Sequence, residues 1–215
     1  MIGITALSLT ACAPGGENAE AAAKDPATFE TETDRSLNNA AEVATIDEER
    51  VNAQIDAYAD VIREFAEALQ GHLQSAMAEG GPGNAISVCN QVAPQIAAEI
   101  SDSRNLEMGR TSLRVRNTSN EPDQWERLVL EDFDRARAEG KPAQGLRHHE
   151  VVVEDGQPVL RYMQAIPTGG LCLTCHGAEL HADVKPALER LYPDDRAVGF
   201  AEGDVRGAFT IRQRM

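Results

Sequence analysis

Large aromatic side chains are scarce in this chain: one Trp, three Tyr and five Phe make up 4% of its 215 residues. Basic residues are in the minority too, 20 Lys and Arg against 35 Asp and Glu, for a formal net charge of −15 and a pI near 4.7. That balance argues against nucleic acid as a partner, and anionic lipid surfaces repel such a domain. Cysteine is limited to four residues, of which only Cys172 and Cys175 stand close together. A zinc ribbon needs a second such pair or a closely spaced histidine pair. Cys12 and Cys89 are too far apart to supply one. A thioredoxin-like dithiol sits in a βαβ pattern, and none is found. Internal repeats are absent as well.

What is present is the stretch GGLCLTCHGAEL, residues 169–180. Cys172 and Cys175 are three apart and His176 follows directly. With four Cys and five His in the chain, chance yields this spacing with a probability of about 0.002. The spacing is that of covalent c-type haem attachment, with thioethers on Cys172 and Cys175 and His176 as the proximal iron ligand. A bound macrocycle would also supply part of the apolar core that the few aromatics leave short.

Covalent haem of this kind is attached outside the cytoplasm, and the N-terminus predicts export. An apolar run from Ile2 ends in Leu9-Thr10-Ala11-Cys12, the pattern of a bacterial lipobox, and is too short to span a bilayer. Residues 1–11 therefore read as a signal peptide cleaved before a lipidated Cys12, although no Lys or Arg precedes the apolar run. A plain cleaved signal peptide with an incidental cysteine is the alternative. Ala13 is not the Asp that retains lipoproteins in the inner membrane, so the expected location is the periplasm, anchored to the outer membrane. Residues 12–45 are acidic and rich in small side chains, and read as a disordered tether reaching about 30 Å. Residues 46–215 are the size of one domain.

Within that domain Val51, Ile55, Tyr58, Ile62, Phe65, Leu69, Leu73 and Met77 recur at steps of three or four, which predicts a long amphipathic helix ended by EGGPGN. A second helical stripe runs from Ile86 to Ile100, with Asn84 as its N-cap. GRTSLRVRN alternates as a strand. The segment from Ser119 to Gly140 reads as a helix started by Asn120, with Pro122 in its first turn and Gly140 as its stop. HEVVVEDGQPVLRYMQAI predicts a β-hairpin turning at Asp155-Gly156. A short helix capped by Asp183 and a closing strand RGAFTIRQ complete the chain. Helices first and an antiparallel sheet afterwards give an α+β fold.

Cys12 goes to lipid and Cys172 and Cys175 to haem, so Cys89 is left over in an oxidising compartment. It lies on the apolar face of its helix. Pro94 removes the helical bond to the carbonyl of Asn90 and predicts a kink there. A buried core cysteine and a thiolate on the distal iron position both fit this spacing. Met77, Met108 and Met163 read as core residues and His72, His148, His149 and His181 as solvated histidines, though each could ligate iron. Arg110, Arg114 and Arg116 fall on one face of the predicted strand, where guanidinium groups could pair with haem propionates or a small anion. Trp125 and Glu126 read as helix packing and a surface charge.

AISVCNQVAPQIA, RTSLRVRNTSNEPDQWE, CLTCHG and LYPDDRAVGFAEGDVRGAFTI occur in that order. Together they resemble a family of single-haem domains with a PAS-like fold, long catalogued as a domain of unknown function. The resemblance covers nearly all of residues 46–215. It implies one covalent haem on Cys172 and Cys175, a proximal His176 and a distal Cys89. Two functions follow as expectations, neither of them enzymatic. One is a redox or small-ligand sensor module, whose distal bond changes with the oxidation state of the iron. The other is a small electron-transfer cytochrome, whose ligation stays fixed. Either implies a redox or signalling protein partner.

Overall fold

The structure, a computed structural model, describes residues 47–215. The expected signal segment 1–11, lipidated Cys12 and tether 12–45 lie outside the described residues.

Asp47 opens the first helix, α1 (Glu48–Ser87), by accepting the N–H of Glu49 at 3.0 Å. The predicted stripe is its inner face: Ile55, Tyr58, Ile62 and Phe65 are buried, as is Val61 beside them. The helix breaks at Gly80-Gly81, where Gly81 has φ +73°, and resumes at Pro82. Asn84 was expected to cap the second segment but stands inside it. Its amide instead donates to the carbonyl of Ala76 at 3.1 Å, satisfying an acceptor that the break leaves without a helical partner. The kink forecast at Pro94 takes a definite form. The chain runs through a π-turn, Val88–Val92, closed by the N–H of Ala93 on the carbonyl of Val88, before helix α2 (Ala93–Arg104) begins. Cys89 lies in that π-turn.

Strand β1 is Glu107–Thr111, shorter than the alternation of GRTSLRVRN suggested. After Thr111 the hydroxyl of Ser112 takes over local hydrogen bonding, accepting from the N–H of Arg114 at 3.1 Å and donating to the carbonyl of Arg206 at 2.8 Å. Arg114 and Arg116 are therefore in a loop, not on a strand face with Arg110. A 3₁₀ turn (Thr118–Asn120) follows. The next helix, α3 (Gln124–Ala138), starts at Asp123 rather than Asn120. Asp123 and Glu126 form a reciprocal capping box, so Glu126 is not a surface charge. It is buried, accepting from the N–H of Asp123 and the hydroxyl of Thr210. Gly140, at φ +89°, ends the helix as predicted.

Strands β2 (Arg147–Glu154) and β3 (Gln157–Pro167) form the hairpin, with Asp155 and Gly156 both at positive φ as a two-residue turn requires. A 3₁₀ turn (Gly170–Cys172), helix α4 (Leu173–His176) and helix α5 (Val184–Leu191) lead to strand β4 (Val205–Arg214). Asp183 stands at the N-terminus of α5, but its side chain makes no capping bond. The sheet is antiparallel throughout, in the order β1-β4-β3-β2. With α1 and α2 beside it, this is the α+β arrangement the element order implied.

Alternation along β3 and β4 divides the core. Leu160, Tyr162, Phe209 and Ile211 face α1 and α2, whereas Met163, Ala165 and Ala208 face Leu130 and Phe133 of α3. The scarce aromatics are concentrated in the first seam, where Tyr58 meets Tyr162 at 5.3 Å and Phe65 meets Phe209 at 5.8 Å. Such pairs add about 0.5–1.5 kcal/mol each beyond area burial. A third cluster joins Ile86 at the end of α1 to Val184, Leu188 and Tyr192 of the α5 segment, with Cys175 packed against it. This cluster holds Cys175 of the Cys-x-x-Cys-His segment between the end of α1 and α5.

Candidate functional site

A cleft opens where β1 ends and β4 begins, and the π-turn, the Cys-x-x-Cys-His segment and Tyr192 form its other wall. It encloses about 200 Å³, and about 810 Å³ with its solvent-open mouth. Cys89 reaches it from the π-turn, Cys172 and His176 from the motif, and Tyr192 from the end of α5. Cys89 and the motif residues Cys172 and His176, 83 and 87 positions further along the chain, thus face one space. Cys89, Cys172 and Cys175 are all half-buried free thiols. Cys175 is turned into the third cluster, where burial pushes its thiol up and Arg116 only partly opposes that.

His176 is the most constrained of these groups. Its Nδ1 lies 2.7 Å from the carbonyl oxygen of Ala197. A carbonyl can only accept, so Nδ1 carries the proton and Nε2 is left with a free lone pair. The ring stands edge-on to Phe200, with centroids 6.2 Å apart. The carbonyl of His176 accepts from the N–H of Phe200 at 3.0 Å, and the N–H of Gly177 donates to Leu173 at 2.9 Å. A Cβ on Gly177 would meet the Leu173 oxygen at 2.7 Å, so only glycine allows this tight exit. Burial holds the imidazole pKa down to about 2, with Arg206 and Arg116 adding repulsion and the Ala197 carbonyl partly opposing them. His176 is therefore a neutral, fixed-tautomer ring, the form in which histidine ligates metals.

Arg110 and Arg116 line the cleft, but Arg114 does not. Arg114 is exposed, stacks 3.6 Å from the ring centre of Phe200, and donates to the carbonyl of Val198 at 2.9 Å. Its place in the cleft is taken by Arg206, which the sequence reading did not single out. Burial lowers the pKa of Arg206 to about 10, helped by Arg116 and Arg110, and burial likewise lowers that of Arg110. Arg116 is itself 7% exposed and pairs with Asp195 at 3.2 Å. Asp195 also accepts the N–H of Ala197 at 2.8 Å, so the Arg116–Asp195 pair steadies the loop whose carbonyl orients His176. Tyr192, Asp195 and Arg206 all lie within LYPDDRAVGFAEGDVRGAFTI, one of the family-like motifs. That was the available signal for them.

The methionines and the other histidines stay outside the cleft. Met108 and Met163 are core residues, and His72, His148, His149 and His181 are exposed. Trp125 packs as expected, and also donates to Glu150 at 2.6 Å. The donor set of the cleft suits a metal macrocycle bearing carboxylates. It offers an imidazole with a free Nε2, the Cys89 thiol, the Cys172 thiol of the motif, whose partner Cys175 packs into the third cluster instead, and buried guanidinium nitrogens without partners (Nη1 of Arg116 and Nε of Arg206).

Fold and cleft together define an α+β domain with a histidine–thiol site in a cationic setting. The chain belongs to the Tll0287-like family, whose profile matches residues 38–214. A solved structure of similar fold is that of the cyanobacterial heme-protein Tll0287, with a TM-score of 0.55 and 22% identity. The match covers 79% of this chain and 98% of that one. No curated protein matches the chain.

Proposed function

We propose that this chain binds one haem covalently through Cys172 and Cys175, with His176 as proximal and Cys89 as distal ligand, and acts as a redox or small-ligand sensor module rather than an enzyme. The observation that carries the reading is the His176 ring, whose Nδ1–H is held by Ala197 and whose Nε2 is free in a cleft shared with Cys89. A c-type haem would supply an iron that changes oxidation state and, with it, its hold on a thiolate. His176 keeps its orientation through Ala197. Cys89 stands on a π-turn, an element with one residue more than an α-turn and often found at functional sites. A ligand on so irregular a turn favours the sensor over a fixed-ligation carrier. The carrier reading has one observation of its own, Leu171, which is 61% exposed directly beside Cys172 and would offer an electron partner an apolar contact.

The test is a pair of spectra of the purified holoprotein and a Cys89→Ala variant. Acid–organic extraction should leave haem on the polypeptide, and the ferric form should be six-coordinate with a thiolate signature that the variant lacks. The ferrous wild type should admit carbon monoxide. Haem that extracts fully, or a ferric spectrum unaltered in the variant, overturns the ligand assignment. A ferrous form that refuses carbon monoxide selects the carrier. Export and lipidation of Cys12 belong to the same reading and rest on Leu9-Thr10-Ala11-Cys12. Cys12→Ser should release the protein from the outer-membrane fraction into the periplasm, and a soluble wild type would refute the anchor.

A further inference from the structure

The cationic end of the cleft is a second feature, separate from the iron ligands. Arg110, Arg116 and Arg206 bring three guanidinium groups to its lining, together with the Ser112 hydroxyl and the Asn117 amide. Among the described residues their only carboxylate partner is Asp195, on Arg116. The remaining contacts are with neutral groups. Arg116 donates from Nη2 to the carbonyls of Cys175 at 2.5 Å and Ala197 at 3.3 Å. Arg206 donates from Nη1 to the Ser112 hydroxyl at 3.3 Å and the Arg114 carbonyl at 3.4 Å. Arg110 lies over the Phe65 ring at 5.0 Å. Nη1 of Arg116 and Nε of Arg206 are buried donors with no acceptor at all.

Burying charge without a counter-charge is costly, and burying a donor without an acceptor adds to that cost. In a chain of net charge −15, nothing about composition forces three cations into one cleft. We infer that Arg110, Arg116 and Arg206 form a binding site for a pair of negative oxygen groups, which complete the unmet donors of Arg116 and Arg206. Guanidinium groups take carboxylates and phosphates through paired N–H donors, which is the chemistry this cluster exposes. The oxygen groups come from one of two sources: the two propionates of the haem proposed above, or a free dianion such as phosphate. The first source rests on that haem reading; the cluster itself does not.

The experiment uses the full chain as purified, with haem content scored separately by extraction. Inorganic phosphate is titrated against wild type and Arg206→Gln while thermal unfolding is followed, and the resonance Raman propionate bending band is recorded for both. If propionates occupy the cluster, wild type ignores phosphate, and in R206Q the propionate band moves to lower frequency. Arg206→Lys, which keeps the charge, restores most of that band. If a free dianion is the ligand, phosphate stabilises wild type saturably. R206Q then weakens that response at least about tenfold, the loss of one charge-assisted hydrogen bond. A protein without covalent haem defeats the haem reading alone, because the phosphate arm still reads the cluster. A folded R206Q that alters neither the propionate band nor the phosphate response overturns the anion site.

Discussion

Two sets of buried and half-buried arginines sit about 20 Å apart along β4, near Arg212 at one end and at Arg206 at the other. Their surroundings differ completely. Arg161, opposite Arg212, is met by Asp123 at 2.6 Å, Glu126 at 3.8 Å and Glu154 at 3.9 Å, and it lies over the Trp125 ring at 4.3 Å. Arg110, Arg116 and Arg206 share one carboxylate, Asp195. An arginine ringed by carboxylates has its charge met within the chain, although Nε of Arg161 and of Arg212 finds no acceptor, and it serves to join β3, α3 and β2. Three arginines that share one carboxylate in an open cleft have their charge met only with something else bound. Burial alone separates neither case, since Arg116 and Arg161 are each 7% exposed.

The contrast breaks most visibly at Arg161. Arg161→Met should cost about 3–5 kcal/mol of stability, because Glu126 is left as a buried charge without a cationic partner. Chemical denaturation of the holoprotein measures it, and the visible spectrum of the folded fraction should not change. A loss under about 1 kcal/mol, or a changed spectrum, would dissolve the distinction between the two sets.

A smaller effect is expected at Asp123. Burial pushes its carboxyl up, but the N–H of Glu126, the Arg161 guanidinium and the N–H of Trp125 outweigh it, and the net pKa is low. Asp123→Ala should cost about 1–2 kcal/mol at neutral pH, as for other lost N-caps. A carboxyl lowered in the folded state stabilises above its unfolded pKa and stops doing so as pH falls through the folded value. The stabilities of wild type and D123A should therefore converge in acid. Parallel curves across the acid range would show that the cap acts without its charge.

The smallest effect belongs to Arg114. Its stacking on Phe200 is exposed, so Arg114→Ala should cost about 0.5–1 kcal/mol and leave the haem spectrum as it is. An altered spectrum would move Arg114 back into the group with Arg116 that its spacing first suggested.

That spacing shows where the sequence was readable and where it was not. The hairpin was legible because Asp155-Gly156 tolerates the positive φ its turn needs, and α1 because its apolar period persists for seven turns. The Arg110–Arg114–Arg116 face misled because alternation continues past Thr111, while Ser112 draws the chain out of the sheet by bonding its own loop. Glu126 stands three residues after Asp123, a capping-box spacing, and was misread once the helix start was set at Asn120. The Cys-x-x-Cys-His motif is local and was evident at once. Arg206 has no local signal of that kind. Its role depends on β4 returning beside β1, about 95 residues earlier in the chain.

The strand made last is also the one in the middle: β4 lies between β1 and β3 and pairs with both. Tyr58 near the start of the domain donates to Gln213 near its end, at 2.9 Å. Until residues 205–214 have left the ribosome, β1 has no neighbour, the β2–β3 hairpin has one open edge, and the cleft lacks Arg206. Assembly in order of synthesis is therefore closed to this domain. Its halves must wait for each other, and contacts that span so much sequence make for slow closure. Under the export proposed above the delay is useful, because a domain that cannot finish folding early stays threadable.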